Sequence, residues 1–200
     1  MPKVGMKDVR KKQLIDATLT SIAQQGFNGT TISTISQIAG VSSGIISHYF
    51  GGKNALIKEA SIYMLDQLKS DFLSQLDTHP ILPYQRIKLI INANFSTNQI
   101  SNKAAVVWLS FWAQSMHSEE LQQLQKVNHK RLVSNLKYSL KQIVKKENVD
   151  YCTELLAAQI DGQWLRCALA RSDKSLYQKA EDQCVQFLDD LISLYGTKRD

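Results

Sequence analysis

Apolar positions recur every three to four residues along most of the chain, and the strict alternation of a half-buried strand occurs nowhere. From Lys7 to Gln25, Leu14, Ile15, Thr18, Leu19, Ile22 and Ala23 form one stripe, and Gly26 is placed to end it as a C-cap. A short helix follows over Ile32 to Ala39, with the hydroxyl of Thr30 or Thr31 available to cap its free N–H groups. After Gly40, Ser42 to Phe50 reads as a second short helix. Lys53 to about Asp77 reads as a long one, with Leu56, Ile57, Ala60, Met64, Leu65, Leu68, Phe72 and Leu76 inward, and the turn from Thr78 and His79 to Pro83 stops it. Further helices fall at roughly 84–96, 102–116, 119–146, 150–171 and 175–195, between polar breaks at Asn98 to Asn102, Asn148 to Asp150 and Ser172-Asp173. The pattern predicts an all-α chain of about nine helices, without internal repeats.

The two short helices raise a question of purpose, because eight or nine residues bury little. Ile35, Ile38, Val41 and Ile46 are placed to pack them at a steep angle about Gly40, which is helix-turn-helix spacing. A helix from Ser42 to Phe50 would be about 12–14 Å long, matched to a major groove ~12 Å wide. Small side chains at Ser42, Ser43 and Gly44 let its N-terminal end approach phosphates or base edges. Ile45, Ser47, His48 and Tyr49 supply an apolar contact and hydrogen-bonding groups, and Lys53 can meet a phosphate. Gly51 and Gly52 turn the corner into the long helix.

Charge agrees with this placement. The formal net charge is +6, and residues 1–60 hold seven basic side chains (Lys3, Lys7, Arg10, Lys11, Lys12, Lys53 and Lys58) against three acidic ones. The imbalance suits a polyanion at that end, although a solvated cationic face has the same composition. Cys152, Cys167 and Cys184 are odd in number, form no CxxC pair and lie in helical patterns, as expected of a reducing, cytoplasmic compartment. No run approaches the ~18 apolar residues of a membrane span, and the N-terminus lacks the apolar segment of a signal peptide.

The stretch "TTISTISQIAGVSSGIISHYFGGKNALIKEA" resembles the helix-turn-helix of the tetracycline-repressor (TetR) family, with Thr31, Ile35, Ala39, Gly40, Val41, Ser42, Gly44, Tyr49, Phe50, Lys53 and Leu56 in register. The resemblance covers about residues 8–68. It implies a DNA-binding domain over 8–68, with the helix-turn-helix at about 31–50, and an effector-binding and dimerisation domain over 69–200. Thr31 joins the expected DNA-binding residues through this register. Two positions depart from the family pattern: Ser36 stands where Ala is usual, and Ser47 where a phosphate-touching Tyr is usual. Ser36 is expected to return its hydroxyl to a carbonyl one turn back.

In the C-terminal half, "AVVWLSFWAQSMH" and "AAQIDGQWLRCAL" hold all three tryptophans. Trp108, Phe111 and Trp112 share a helix side with Met116 one turn on, and Asp161 lies three residues before Trp164. Such a set suits an aromatic box for a quaternary ammonium with a carboxylate nearby. The same spacing is that of a packed core, and Asp161 could equally pair with Arg166 or Lys174. Together with "KQLIDATL" and "GIISHYF", these segments are similar to a choline-responsive TetR subgroup of the glycine betaine pathway, in which Ser47 is a subgroup trait. The resemblance implies a repressor of choline uptake and choline-oxidation genes relieved by choline, or by another cationic or amphipathic small molecule. It also implies a homodimer on operator DNA, joined through the last two helices and their apolar residues Leu155, Ile160, Phe187, Leu191 and Leu194.

Catalytic readings have little to stand on. His48, His79, His117 and His129 show no metal spacing, no Cys lies beside a base, and Gly52-Lys53 is followed by Asn54 rather than the Ser or Thr of a phosphate loop. The expectation is a regulator with no catalytic residue, metal or cofactor.

Overall fold

A computed structural model of the protein describes residues 6–76, 80–171 and 173–197. Lys3, the Thr78-His79 part of the turn and the Ser172 part of the last polar break lie outside the described residues. The helices are α1 (Met6–Gly29), α2 (Ile32–Ala39), α3 (Ser43–Phe50), α4 (Lys53–Leu73), α5 (Pro83–Asn94), α6 (Thr97–Ile100), α7 (Asn102–Ser115), α8 (Glu119–Leu140), α9 (Val149–Leu169) and α10 (Lys174–Tyr195). Nine of them have eight residues or more. The described β structure is one isolated bridge, Val144 to Gly196.

Most boundaries fall where the periodicity places them, and the exceptions have local causes. Gly26 breaks α1 with a left-handed backbone, φ 71°, before the last few helical residues. The helix expected to reach residue 146 ends at Leu140. There the backbone finds partners outside the helix: Lys145 donates its N–H to Tyr195 O at 2.9 Å, and Thr197 donates to Ile143 O at 3.1 Å. An amide bonded to a distant carbonyl cannot also continue the helical ladder.

The structure divides into two compact units, Met1–Asp66 with Asn102–Gln125, and Gln67–Ser101 with Lys126–Asp200. The chain crosses between them inside α4, between α6 and α7, and inside α8. The division differs from a cut at residue 68, because α7 lies along α1 and so belongs with the helix-turn-helix. Lys103 at the start of α7 donates to Thr20 Oγ1 of α1 at 2.8 Å.

The first unit is built on Leu14, Ile35, Ile46 and Leu56, all fully buried. The second packs α9 against α10, with α5 beside them, around Ile87, Ile91, Leu136, Leu156 and Leu188. In it, the Arg86 guanidinium sits 5.2 Å from the Phe72 ring and 5.1 Å from the Tyr138 ring, and donates to Asn135 O, Asn135 Oδ1 and Ser139 Oγ. Cys152, Cys167 and Cys184 are buried, and burial pushes the Cys184 thiol up to about 12, so it stays protonated.

Candidate nucleic-acid interface and ligand-binding residues

The helix-turn-helix is held by a chain of small polar contacts. Thr30 is buried and donates its hydroxyl to Gly26 O at 2.8 Å, Ser21 donates to Thr30 Oγ1 at 3.1 Å, and Ser21 Oγ lies 3.0 Å from Thr34 Oγ1. Thr31 rather than Thr30 caps α2: Thr31 Oγ1 accepts from the Thr34 N–H at 3.1 Å, and Thr34 Oγ1 accepts from the Thr31 N–H at 2.9 Å. At the other end of α2, Gly40 takes φ 63°, a conformation that any side chain would strain. Gln13 of α1 donates to Ala39 O at 2.6 Å and ties that end down.

These contacts leave α3 attached by one buried side chain. Ile46 is 0% exposed and is the buried residue of α3. A fully buried Ile contributes about 1.5–3 kcal/mol relative to an exposed one, so it anchors the helix without covering it. Ser42, Ser43, Gly44, Ser47 and His48 are exposed, and Ile45 and Tyr49 half-buried. A side chain added at Gly44 would meet nothing within 4 Å, so this end of the helix is open to close approach. The Ser42 side chain makes no capping bond, although the helix begins one residue after it. The His48 and Tyr49 rings pack edge-on with centroids 5.1 Å apart.

Gly51, at φ 78°, donates to Ser47 O and ends α3, and α4 starts at Lys53 two residues later. Lys11 lies over the Phe50 ring and Lys53 over the Phe27 ring, at 5.9 and 5.8 Å from the centroids. Both ammonium groups are thus held near the exposed helix. Ser36 departs from its expectation. It is 5% exposed, and its hydroxyl has no hydrogen-bond partner among the described residues, so it makes no bond to the preceding turn.

The aromatic residues fall in both units. Trp108 and Phe111 are buried on α7, with Trp112 beside them, and the Trp108 ring lies 5.9 Å from Phe111 and 6.4 Å from Trp112. Met116 does not continue that row. Helix α7 has ended at Ser115, and the Met116 side chain is 79% exposed. On α9, Trp164 is buried and donates its indole N–H to Gln99 O at 3.2 Å.

Asp161, one turn before Trp164, is half-buried and pairs with neither Arg166 nor Lys174 among the described residues. Burial pushes its carboxyl up to about 6, against an opposing pull from His129 of α8. Sequence periodicity gave no sign of Gln99 or His129. Gln99 is a buried polar residue in a stretch that reads as a polar break, and His129 is an exposed residue of α8, so neither marks an apolar stripe.

Of the residues expected at a dimer face, Ile160 and Leu191 are buried in the protomer's own core. The exposed apolar residues of α9 and α10 are Tyr151, Leu169, Leu176 and Leu194.

An exposed helix with an open N-terminal end, anchored from behind and flanked by lysines, defines a helix-turn-helix DNA-binding protein. Residues 14–60 match the family described as "Bacterial regulatory proteins, tetR family", and residues 83–193 match "BetI-type transcriptional repressor, C-terminal". The chain belongs to the TetR family of transcriptional regulators, in the branch with a BetI-type C-terminal domain, and is not an enzyme. It is 49% identical over 170 residues to the HTH-type transcriptional regulator BetI of Vibrio vulnificus (strain YJ016), covering 84% of this chain and 86% of that one. It is 42% identical to the regulator of the same name from Vibrio atlanticus (strain LGP32), over 100% of both chains. A crystal structure of a putative transcriptional regulator from Saccharomonospora viridis in complex with choline superposes with a TM-score of 0.75 at 19% identity, over 96% of this chain and 100% of that one. That last likeness shows the fold alone.

Proposed function

We propose that the protein represses genes for choline uptake and for choline oxidation to glycine betaine, and that choline relieves the repression. Residues 8–68 read a pseudo-palindromic operator as one half of a homodimer, and the helices of 69–200 take the ligand and the second copy. It works in the cytoplasm.

DNA reading is supported by α3, which Ile46 anchors while Ser43, Gly44, Ser47 and His48 stay open. The choline reading is supported by the likeness to BetI regulators at 42–49% identity. One observation carries its chemistry. Asp161 is a half-buried carboxylate with no hydrogen bond or ion pair among the described residues, one helical turn from the face of Trp164. A quaternary ammonium has no N–H to donate, so it needs a nearby charge and an aromatic face rather than hydrogen-bond acceptors. Trp108 and Trp112 on α7 offer such faces as well, and each residue is tested singly. Because α4 begins beside α3 and ends in the second unit, ligand binding that displaces α4 alters the spacing of two reading helices.

The test is titration of choline, betaine aldehyde and glycine betaine into protein bound to a fluorescent operator, with calorimetry on the free protein. Choline is expected to release the DNA at a lower concentration than the other two. Release by none of the three would falsify the proposal.

A further inference from the structure

The last turn of α4 carries a carboxylate that the DNA and ligand readings leave unused. Asp71 accepts three side-chain hydrogen bonds from one short segment: Ser96 Oγ at 2.7 Å and Gln99 Nε2 at 3.1 Å on Oδ2, and Asn98 Nδ2 at 2.9 Å on Oδ1. Gln99 is 4% exposed, and its backbone oxygen accepts the indole N–H of Trp164. A side chain on α4 and a side chain on α9 are therefore joined through a single residue, Gln99. All of these groups lie within the second unit.

We propose that Asp71 is the positioning residue through which ligand at Trp164 moves α4. The proposal rests on Trp164 facing the effector. A ligand that shifts the indole ring displaces the Gln99 carbonyl bonded to it. The same residue's amide holds Asp71, and Ser96 and Asn98 hold it from the same segment. A carboxylate with three donors from one segment must follow that segment or give up charge-assisted bonds. Because α4 is one continuous helix of 21 residues, about 30 Å by helical rise, displacement of its last turn acts on the same helix that begins at Lys53. The network is a coupling element, and its worth is read as a ratio of affinities rather than as either affinity alone.

The experiment uses the full-length protein and measures operator Kd with and without saturating choline, together with choline Kd. Asp71→Asn keeps the shape but turns a donor towards Ser96, Asn98 and Gln99. Its operator affinity without choline is expected within about 2-fold of wild type, while the choline-induced change in operator affinity, typically about 5- to 150-fold in allosteric proteins, falls below about 3-fold. Asn98→Ala, which removes one exposed donor, is expected to give an intermediate ratio, and Asp71→Glu to restore part of it. A merely structural Asp71 would lower the melting temperature and leave the ratio intact.

Should Asp71→Asn fail to fold, the double variant Ser96→Ala/Asn98→Ala carries the test. A wild-type ratio in either well-folded variant overturns the proposal. A wild-type protein that ignores choline overturns the choline reading itself, and this proposal with it.

Discussion

The Lys53 ammonium stands 5.8 Å from the centroid of the Phe27 ring, so the lysine that opens α4 rests on the end of α1. A cation–π contact at an accessible position contributes only about 0.5–1 kcal/mol, and it leaves the ammonium's charge available to a phosphate. Lys53→Ala is expected to weaken binding to operator and random DNA alike, and to lower the slope of log K against log salt by about one unit. Salt titrations of both DNAs check this. A loss confined to the operator would reassign Lys53 to base reading.

The His48 and Tyr49 rings meet edge to face on α3, so they are expected to act as a pair. Either change to Ala should alter preference among operator variants by about 1–3 kcal/mol at one position and leave random DNA nearly unaffected. The double variant should lose less than the two single losses combined. Binding to a panel of single-base operator variants measures both effects.

Ser36 makes a prediction about stability alone. Its buried hydroxyl has no partner among the described residues, and leaving such a group unpaired costs about 1–3 kcal/mol. Ser36→Ala is expected to stabilise the protein by about 1 kcal/mol, raising Tm by about 2–4 °C for a chain of this size. Operator affinity should not change. A fall in Tm would mean that the hydroxyl is satisfied in solution.

The Asp161 carboxyl, pushed up to about 6 by burial, is expected to make choline binding depend on pH. A cation favours the ionised form, so choline affinity should rise from pH 5 to pH 7 and then level off, with a proton released on binding below about pH 6. The sign for stability is opposite. The folded protein holds this proton more tightly than the unfolded chain, so Asp161 destabilises the ligand-free fold progressively as pH rises from about 4 through 6. Asp161→Asn should flatten the affinity profile, weaken choline and raise Tm at pH 7. His129→Gln is the control for the neighbouring histidine. Calorimetry across pH reads the affinities, and thermal melts read the stability.

Trp108, Trp112 and Trp164, each changed to Ala, separate ligand recognition from packing. A lost cation–π face weakens choline by roughly 2- to 30-fold, from ~0.5–2 kcal/mol, and spares ligand-free operator binding. A lost core residue lowers Tm and both activities together. Calorimetry and melts on the same preparations distinguish the two.

What was legible in the chain was local. The helix-turn-helix shows itself because Gly40, Ile35 and Ile46 lie within a dozen residues of one another, and its turn geometry is decided there. The end of α8 was not legible. Ile143 and Val144 continue an apolar stripe, and only the distant Tyr195 and Thr197 draw their backbone out of the helix. Met116 has helical spacing but stands beyond the helix end. Ile160 and Leu191 show that an apolar stripe reports burial without saying whether its partner is the same chain or a second copy. Asp71, Ser96, Asn98 and Gln99 are ordinary polar residues in sequence, and their meeting is a product of the fold.

The bridge between Val144 and Gly196 ties together the two ends of the segment that holds α9 and α10. Only glycine fits at its far side, since a Cβ on Gly196 would meet Ile192 O at 2.4 Å. For a homodimer joined through α9 and α10, as proposed, part of the freedom of these two helices is already given up within one chain before a second copy is met. Association on that reading would join preformed surfaces and need no folding at the contact.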